Sequence, residues 1–216
     1  MRLLSLLLLL FLCWAICGPT LAAEVLLIDD FEQGLAAFWS PKIFHGTTRY
    51  AVVADGSGHV LQADSQATAS GLIYEREFNP HDWPVLVWRW KVAGIIEKGD
   101  ARIKAGDDYA ARVYVVFPHW FFPKTKSLNY IWANRLPAGS LVPNPFTGNA
   151  MMLAIASGPE KVGQWQTVRR NIAEDYRRAF GTEPPETATI ALMTDTDNTG
   201  GTATAWYDDL HLEKLE

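Results

Sequence analysis

Cysteine is all but missing from this sequence: Cys13 and Cys17 are the only two, and both lie within the first eighteen residues. The rest of the chain has no thiol nucleophile, no cysteine zinc site and no internal disulfide, so a hydrophobic core alone, or a core plus bound ions, must hold it together. There is no run of Lys or Arg either, and the formal net charge is −5. That balance speaks against nucleic acid and anionic lipid surfaces as partners. Also absent are a Gly-x-Ser-x-Gly elbow, a Gly-rich phosphate loop and a His-Glu-x-x-His pair. His45, His59, His81, His119 and His211 show no zinc-like spacing, which leaves them as ordinary surface or loop histidines.

A long apolar run occurs once, at the start. Arg2 is the only charge ahead of Leu3 to Trp14, Gly18-Pro19 break the run, and Thr20-Leu21-Ala22 offers a small-residue cleavage site. This predicts a secretory signal over residues 1–22 and an exported single domain over 23–216, with no membrane span once the signal is cleaved. A domain of that length buries about 70% of its unfolded surface, enough to stand without disulfide staples.

Period-two alternation dominates the remainder. In Val85 to Val92, Leu86, Trp88, Trp90 and Val92 share one face, while Arg89 and Lys91 share the other with Val85 and Val87. Tyr50 to Ala54 and His59 to Ala63 flank Asp55-Gly56-Ser57-Gly58, a hairpin signal. One helix is predicted over Ile172 to Phe180, capped by Asn171 with Glu174 three residues on and stopped by Gly181. Prolines make Ser40-Pro41 a breaker and the segment from Pro137 to Pro145 an irregular loop. With about eleven short strands and no βαβ alternation, the pattern reads as all-β, an antiparallel β-sandwich of jelly-roll type with one short helix. The aromatic run Phe117 to Pro123, bounded by prolines, is expected to tuck under a sheet.

The most polar stretch adjoining a strand is Lys104-Ala-Gly-Asp-Asp-Tyr109, which leads into Ala111 to Phe117. Two adjacent carboxylates, Asp107 and Asp108, precede Arg112, and paired carboxylates can serve as acid and base. Adjacent residues on an extended chain face opposite ways, so only one of the two is expected to share a side with Arg112. Arg89, Lys91 and Arg112 would suit an acidic saccharide such as a uronate if their strands adjoin. Asp195-Thr-Asp-Asn-Thr-Gly-Gly201 carries hard oxygen ligands of the type Ca²⁺ takes. It is weighed against a turn rich in Asp and Asn for backbone reasons. The candidate metal residues are Asp195, Asp197, Asn198 and Asp208.

Several motifs in fixed order, Trp88-Arg-Trp-Lys-Val92, Lys104 to Tyr109 with Ala111 to Val115, Asn129-Tyr-Ile-Trp-Ala-Asn-Arg-Leu-Pro137, Val142 to Thr147, Asp175 to Gly181 and Met193 to Gly200, carry a resemblance. They resemble the bacterial exported family called domain of unknown function 3047. That resemblance implies a β-sandwich related to carbohydrate-binding jelly rolls and a periplasmic home, and it implies no catalytic residues. The chain departs from the family pattern at Trp120 to Lys126 and at Tyr207 to Leu210.

These readings together predict a module that binds a saccharide or envelope glycan through Asp107, Asp108, Arg112, Asn129, Trp132, Asn134 and Arg135. The rivals are a polysaccharide-active lyase or hydrolase and a structural envelope protein.

Overall fold

The computed structural model describes residues 24–215. The predicted signal over 1–22 lies outside them. Thirteen strands and one helix follow in order: β1 Val25–Asp29, β2 Trp39–His45, β3 Arg49–Asp55, β4 Gly58–Gln66, β5 Ala69–Tyr74, β6 Val85–Val92, β7 Arg112–Phe117, β8 Lys126–Ala133, β9 Leu141–Asn144, β10 Thr147–Ser157, β11 Gln166–Asn171, α1 Ile172–Phe180, β12 Thr189–Asp195 and β13 Thr202–Glu213. They form two sheets, one ordered β11-β6-β13-β4-β3 with β1 added along β13, the other β2-β5-β12-β7-β8-β10-β9.

The β-sandwich and its single helix are as the alternation predicts. One pair departs from antiparallel order: β10 runs parallel to β8. Two strands, β2 and β9, arise where prolines predict breaks. They are the two edges of the seven-stranded sheet, where a residue lacking an N–H leaves no ladder bond unmade. Pro41 and Pro143 are thus compatible with pairing on one side only.

Between the sheets lies an aromatic core. Trp88 stacks on Tyr130 at 5.2 Å between centroids, and Trp90 approaches Trp132 at 6.0 Å. All four are fully buried. Burial of such large rings is the main favourable term in a fold without disulfides. The helix docks on this core at one end through Tyr176, 4.6 Å from the Phe117 ring, with Asn171 accepting the Glu174 N–H and Gly181 in the left-handed conformation.

The alternate residues of β7, β8, β10 and β12 face away from the core, yet many of them, among them Arg112, Asn129, Ile131, Ala133, Met152, Ala154, Met193 and Asp195, are buried too. Residues 93–110 fold back across them, so that Ala101 and Tyr109 pack on Ile131, Ala133, Met152 and Ala154 as a second apolar cluster. A turn in this segment is pinned by Asn134, whose Oδ1 accepts the Ile96 N–H at 2.8 Å and whose Nδ2 donates to the Asp108 carbonyl at 2.8 Å. A Cβ on Gly99 would lie 2.0 Å from that Nδ2, so the approach requires glycine. On the outer face of the six-stranded sheet Val85, Val87 and Asp208 are buried, while Arg89, Lys91, Trp206, Gln62 and Asp64 remain partly exposed.

Candidate functional site

Beneath the 93–110 segment, Arg112 is held between two rings, its Cζ 4.7 Å from Tyr109 and 5.2 Å from Tyr114. Its Nη2 pairs with the Asp195 carboxylate, and its backbone N–H donates to the Tyr207 hydroxyl at 3.2 Å. Asp107 accepts from the Tyr109 hydroxyl at 2.9 Å and from Asn144 Nδ2 at 2.7 Å. Asp108 turns the other way and accepts the N–H groups of Asn198 at 3.2 Å and Thr199 at 2.6 Å. The predicted divergence of the two carboxylates is what the partners show, and Asp108 caps the 195–201 turn.

This cluster is closed: Asp107, Asp108, Arg112 and Asp195 are each no more than 7% exposed. Asp195 pairs with the guanidinium and Asp107 and Asp108 are buried in the same region, so the carboxylates outnumber the one cation. Burial pushes the Asp195 carboxyl up to about 7; Arg112 opposes the shift, and the charges of Asp108 and Asp107 add to it. Burial also works against the Arg112 charge, but Asp195 holds the guanidinium well above its usual range.

Asp108, Asp195 and Asp197 each bring one oxygen within 4.8 Å of the others, an arrangement that could receive a cation. Calcium fits it poorly. The ion takes six to eight oxygens, whereas Asp108 is occupied by N–H donors and Arg112 already neutralises Asp195. Asn198 turns its amide nitrogen toward Asp108 and Asp197, at 3.3 and 3.1 Å. Asp208 lies elsewhere, on β13, where it binds Arg89 at 3.0 Å.

The other sequence candidates separate in the same way. Trp132 faces the core and donates its Nε1–H to the Gly158 carbonyl at 3.2 Å; it is a packing residue, because alternation in β8 sends it inward with Leu128 and Tyr130. Asn129 points outward but is buried, its Nδ2 donating to Ser127 Oγ at 3.3 Å. Arg135 reaches the Glu97 carbonyl at 2.6 Å and, like Asn134, holds the covering segment.

A second polar and aromatic group occupies the partly exposed part of the outer face of the six-stranded sheet. Lys91 Nζ lies 4.7 Å from both the Trp165 and the Trp206 rings, and Arg89 Cζ lies 4.8 Å from Trp165. Asp55 accepts the Trp165 Nε1–H at 2.8 Å and a Lys91 proton at 3.3 Å; the first of these, then the second, holds its carboxyl below the usual range. Across β13, Trp206 Nε1 donates to Gln62 at 3.0 Å, Gln62 donates to Asp64 at 2.8 Å, and Thr204 donates to the other Asp64 oxygen at 2.8 Å. Register explains the line: Trp206 pairs with Lys91 on one side and Gln62 on the other, and Asp64 stands between Thr204 and Arg49. The line opens onto a cavity of about 720 Å³ lined by Arg49, Asp64, Gln66, Thr68 and Thr202. Both indoles remain partly exposed.

The sequence reading singled out Arg89 and Lys91 but missed Trp165 and Trp206. The signal was present in β13, where Thr202, Thr204 and Trp206 alternate with Ala203, Ala205 and Tyr207. A tryptophan on the polar face of a strand is the unusual member.

Fold and faces make this a β-sandwich protein with one outer sheet face largely covered by residues 93–110 and the other partly exposed. It belongs to the family described as protein of unknown function DUF3047, whose model matches residues 37–211. Among solved structures, the chain is similar to the family 11 carbohydrate-binding module of a cellulosomal cellulase of Clostridium thermocellum, at 11% identity over 90% of this chain and 96% of that one, TM-score 0.48. It is also similar to a family 30 carbohydrate-binding module from the same organism's cellulosomal cellulase, at 9% identity over 83% and 92%, TM-score 0.49. A third is a cleaved adhesin domain of Lys-gingipain from Porphyromonas gingivalis, at 14% identity over 89% and 99%, TM-score 0.45. No curated protein matches the chain. No helix among the described residues is long and apolar enough to cross a membrane.

Proposed function

We propose that this protein is an exported saccharide-binding module and that its ligand lies across the open face of the six-stranded sheet. The observation that carries the reading is the row Trp165, Lys91, Trp206, Gln62, Asp64. Two partly exposed indoles are followed, in strand register, by side chains that can exchange hydrogen bonds with hydroxyls. A sugar ring has an apolar face that an aromatic ring can cover and a rim of hydroxyls that amides and carboxylates can hold. Arg49, exposed at the cavity, favours a carboxylated saccharide, such as a uronate in an envelope glycan, while Lys91 and Arg89 are already paired with Asp55, Asp208 and Asp209. The N-terminal sequence supports export, and the family resemblance supports the periplasm as the compartment. The sequence candidates Asp107, Asp108, Arg112 and Asn129 act in this reading as supports of the fold.

The test is migration of the protein through gels containing neutral or uronate-bearing polysaccharides, with product analysis alongside. Retardation by the acidic polysaccharide, lost in Trp165→Ala and Trp206→Ala, is the expected result. Release of reducing ends or of unsaturated products would make the protein an enzyme, and no retardation with any polysaccharide would favour a structural role.

A further inference from the structure

The aromatic run after β7, expected to tuck under a sheet, projects instead. Trp120 is 92% exposed, Phe122 80% and Phe121 48%. The loop is not slack. Its backbone is closed on itself by His119 N–H to Thr125 Oγ1 at 3.2 Å, Phe121 N–H to His119 Nδ1 at 3.0 Å, Lys124 N–H to the Phe121 carbonyl and Thr125 N–H to the Phe122 carbonyl, each of these last two at 2.9 Å. Asn149 anchors it through the Pro123 carbonyl at 2.7 Å. Pro118 and Pro123 bring no N–H to satisfy.

We infer that this loop docks the protein on an anionic lipid bilayer. Apolar rings on a loop whose backbone polar groups are largely satisfied internally can enter a membrane interface at little desolvation cost, and tryptophan favours that zone. Charge supplies the second argument. The chain is acidic overall, yet it contains no Asp or Glu between Asp108 and Glu160. Lys124 is exposed beside the rings. Lys126, 4.6 Å from the Phe180 ring, borders a cavity of about 300 Å³ at the loop's base together with Lys124, His119 and Asn149. Pro185 also lines that cavity, and of the carboxylates flanking it in sequence Glu183 is paired with Arg177 while Glu186 is exposed. Aromatic insertion and lysine attraction together form the two-part signal that surface attachment takes.

The test is flotation of purified protein with vesicles of phosphatidylcholine alone or with phosphatidylglycerol added, together with quenching of tryptophan fluorescence by lipids brominated on their chains. Wild type should float with the anionic vesicles. Trp120→Ser/Phe122→Ser should lose flotation, and Lys124→Glu/Lys126→Glu should weaken it by roughly fivefold or more per lysine. Quenching that disappears in Trp120→Phe reports the ring itself, whatever the first 22 residues contribute. The inference is overturned if the loop variants float and quench as wild type does. It is also overturned if they lose glycan retardation instead, or if they abolish only a self-association seen by size-exclusion chromatography.

Discussion

The outer faces of the two sheets carry similar chemistry under opposite conditions. On the seven-stranded sheet, Arg112 sits between tyrosines and pairs with Asp195, with Asp107 and Asp108 buried nearby, under the 93–110 segment. On the six-stranded sheet, Lys91 sits between tryptophans and pairs with Asp55 at a site that stays partly exposed. In the first, every carboxylate is occupied by a partner that the fold itself supplies, and low dielectric makes each of those partners indispensable. In the second, the same types of group hold one another at ordinary hydrogen-bond distances but leave surface for something else. Exposure, rather than residue type, separates side chains that specify the fold from side chains that can meet a ligand.

The hardest way to strain that comparison is to remove the guanidinium. Arg112→Ala leaves the aspartates uncompensated and should cost about 3–5 kcal/mol, lowering the melting temperature by roughly 6–20 °C in a domain of this size. The protein that remains folded should keep its glycan retardation. Lys91→Ala makes the reciprocal case: it should shift melting by no more than a few °C, roughly 1 kcal/mol for a pair that water screens, while weakening retardation.

Acid–base behaviour sharpens the contrast further. Burial raises the folded Asp195 carboxyl to about 7, whereas the unfolded carboxyl titrates near about 3.9. Between those values the folded protein keeps a proton that the unfolded chain has released. Stability from this group is therefore greatest at the acid end of the window and falls as pH rises through it. Melting at about pH 6 should exceed that at about pH 8 by roughly 2–4 °C, and Asp195→Asn should flatten the difference. A melting temperature that climbs from pH 6 to pH 8 would show that Asp195 stays ionised.

Calcium should have the smallest effect. A site filled at a hundred times its dissociation constant would add about 2.7 kcal/mol, but Arg112 and the N–H donors to Asp108 already serve the 195–201 turn. Melting curves with chelator and with added Ca²⁺ should superimpose. A rise of several °C on adding the ion would restore the metal reading of Asp108, Asp195 and Asp197.

Much of this fold was legible because it rests on local rules. The alternation in β6, the Asp55 to Gly58 turn and the caps of α1 each state their structure within a dozen residues. The edge strands β2 and β9 were not legible, since Pro41 and Pro143 exclude pairing on one side only, and which side is free depends on the whole sheet. The site was harder for a related reason. Lys104 to Tyr109 looks like a surface loop holding carboxylates until residues 93–110 are seen to close over β7 and β8, a contact between segments with no periodic signature. Trp206 was readable from alternation in β13, but its partnership with Lys91 and Trp165 needs β6 and β11 alongside.

The claim that the open face meets the ligand is tested most directly by calorimetric titration of an acidic oligosaccharide into wild type, Trp165→Ala/Trp206→Ala and Asn129→Ala. The account predicts binding by wild type, a loss of at least tenfold in the tryptophan variant, roughly 1.4 kcal/mol or more, and unchanged affinity in Asn129→Ala. Unchanged binding in the tryptophan variant with loss in Asn129→Ala would place the ligand on the sealed face and contradict it.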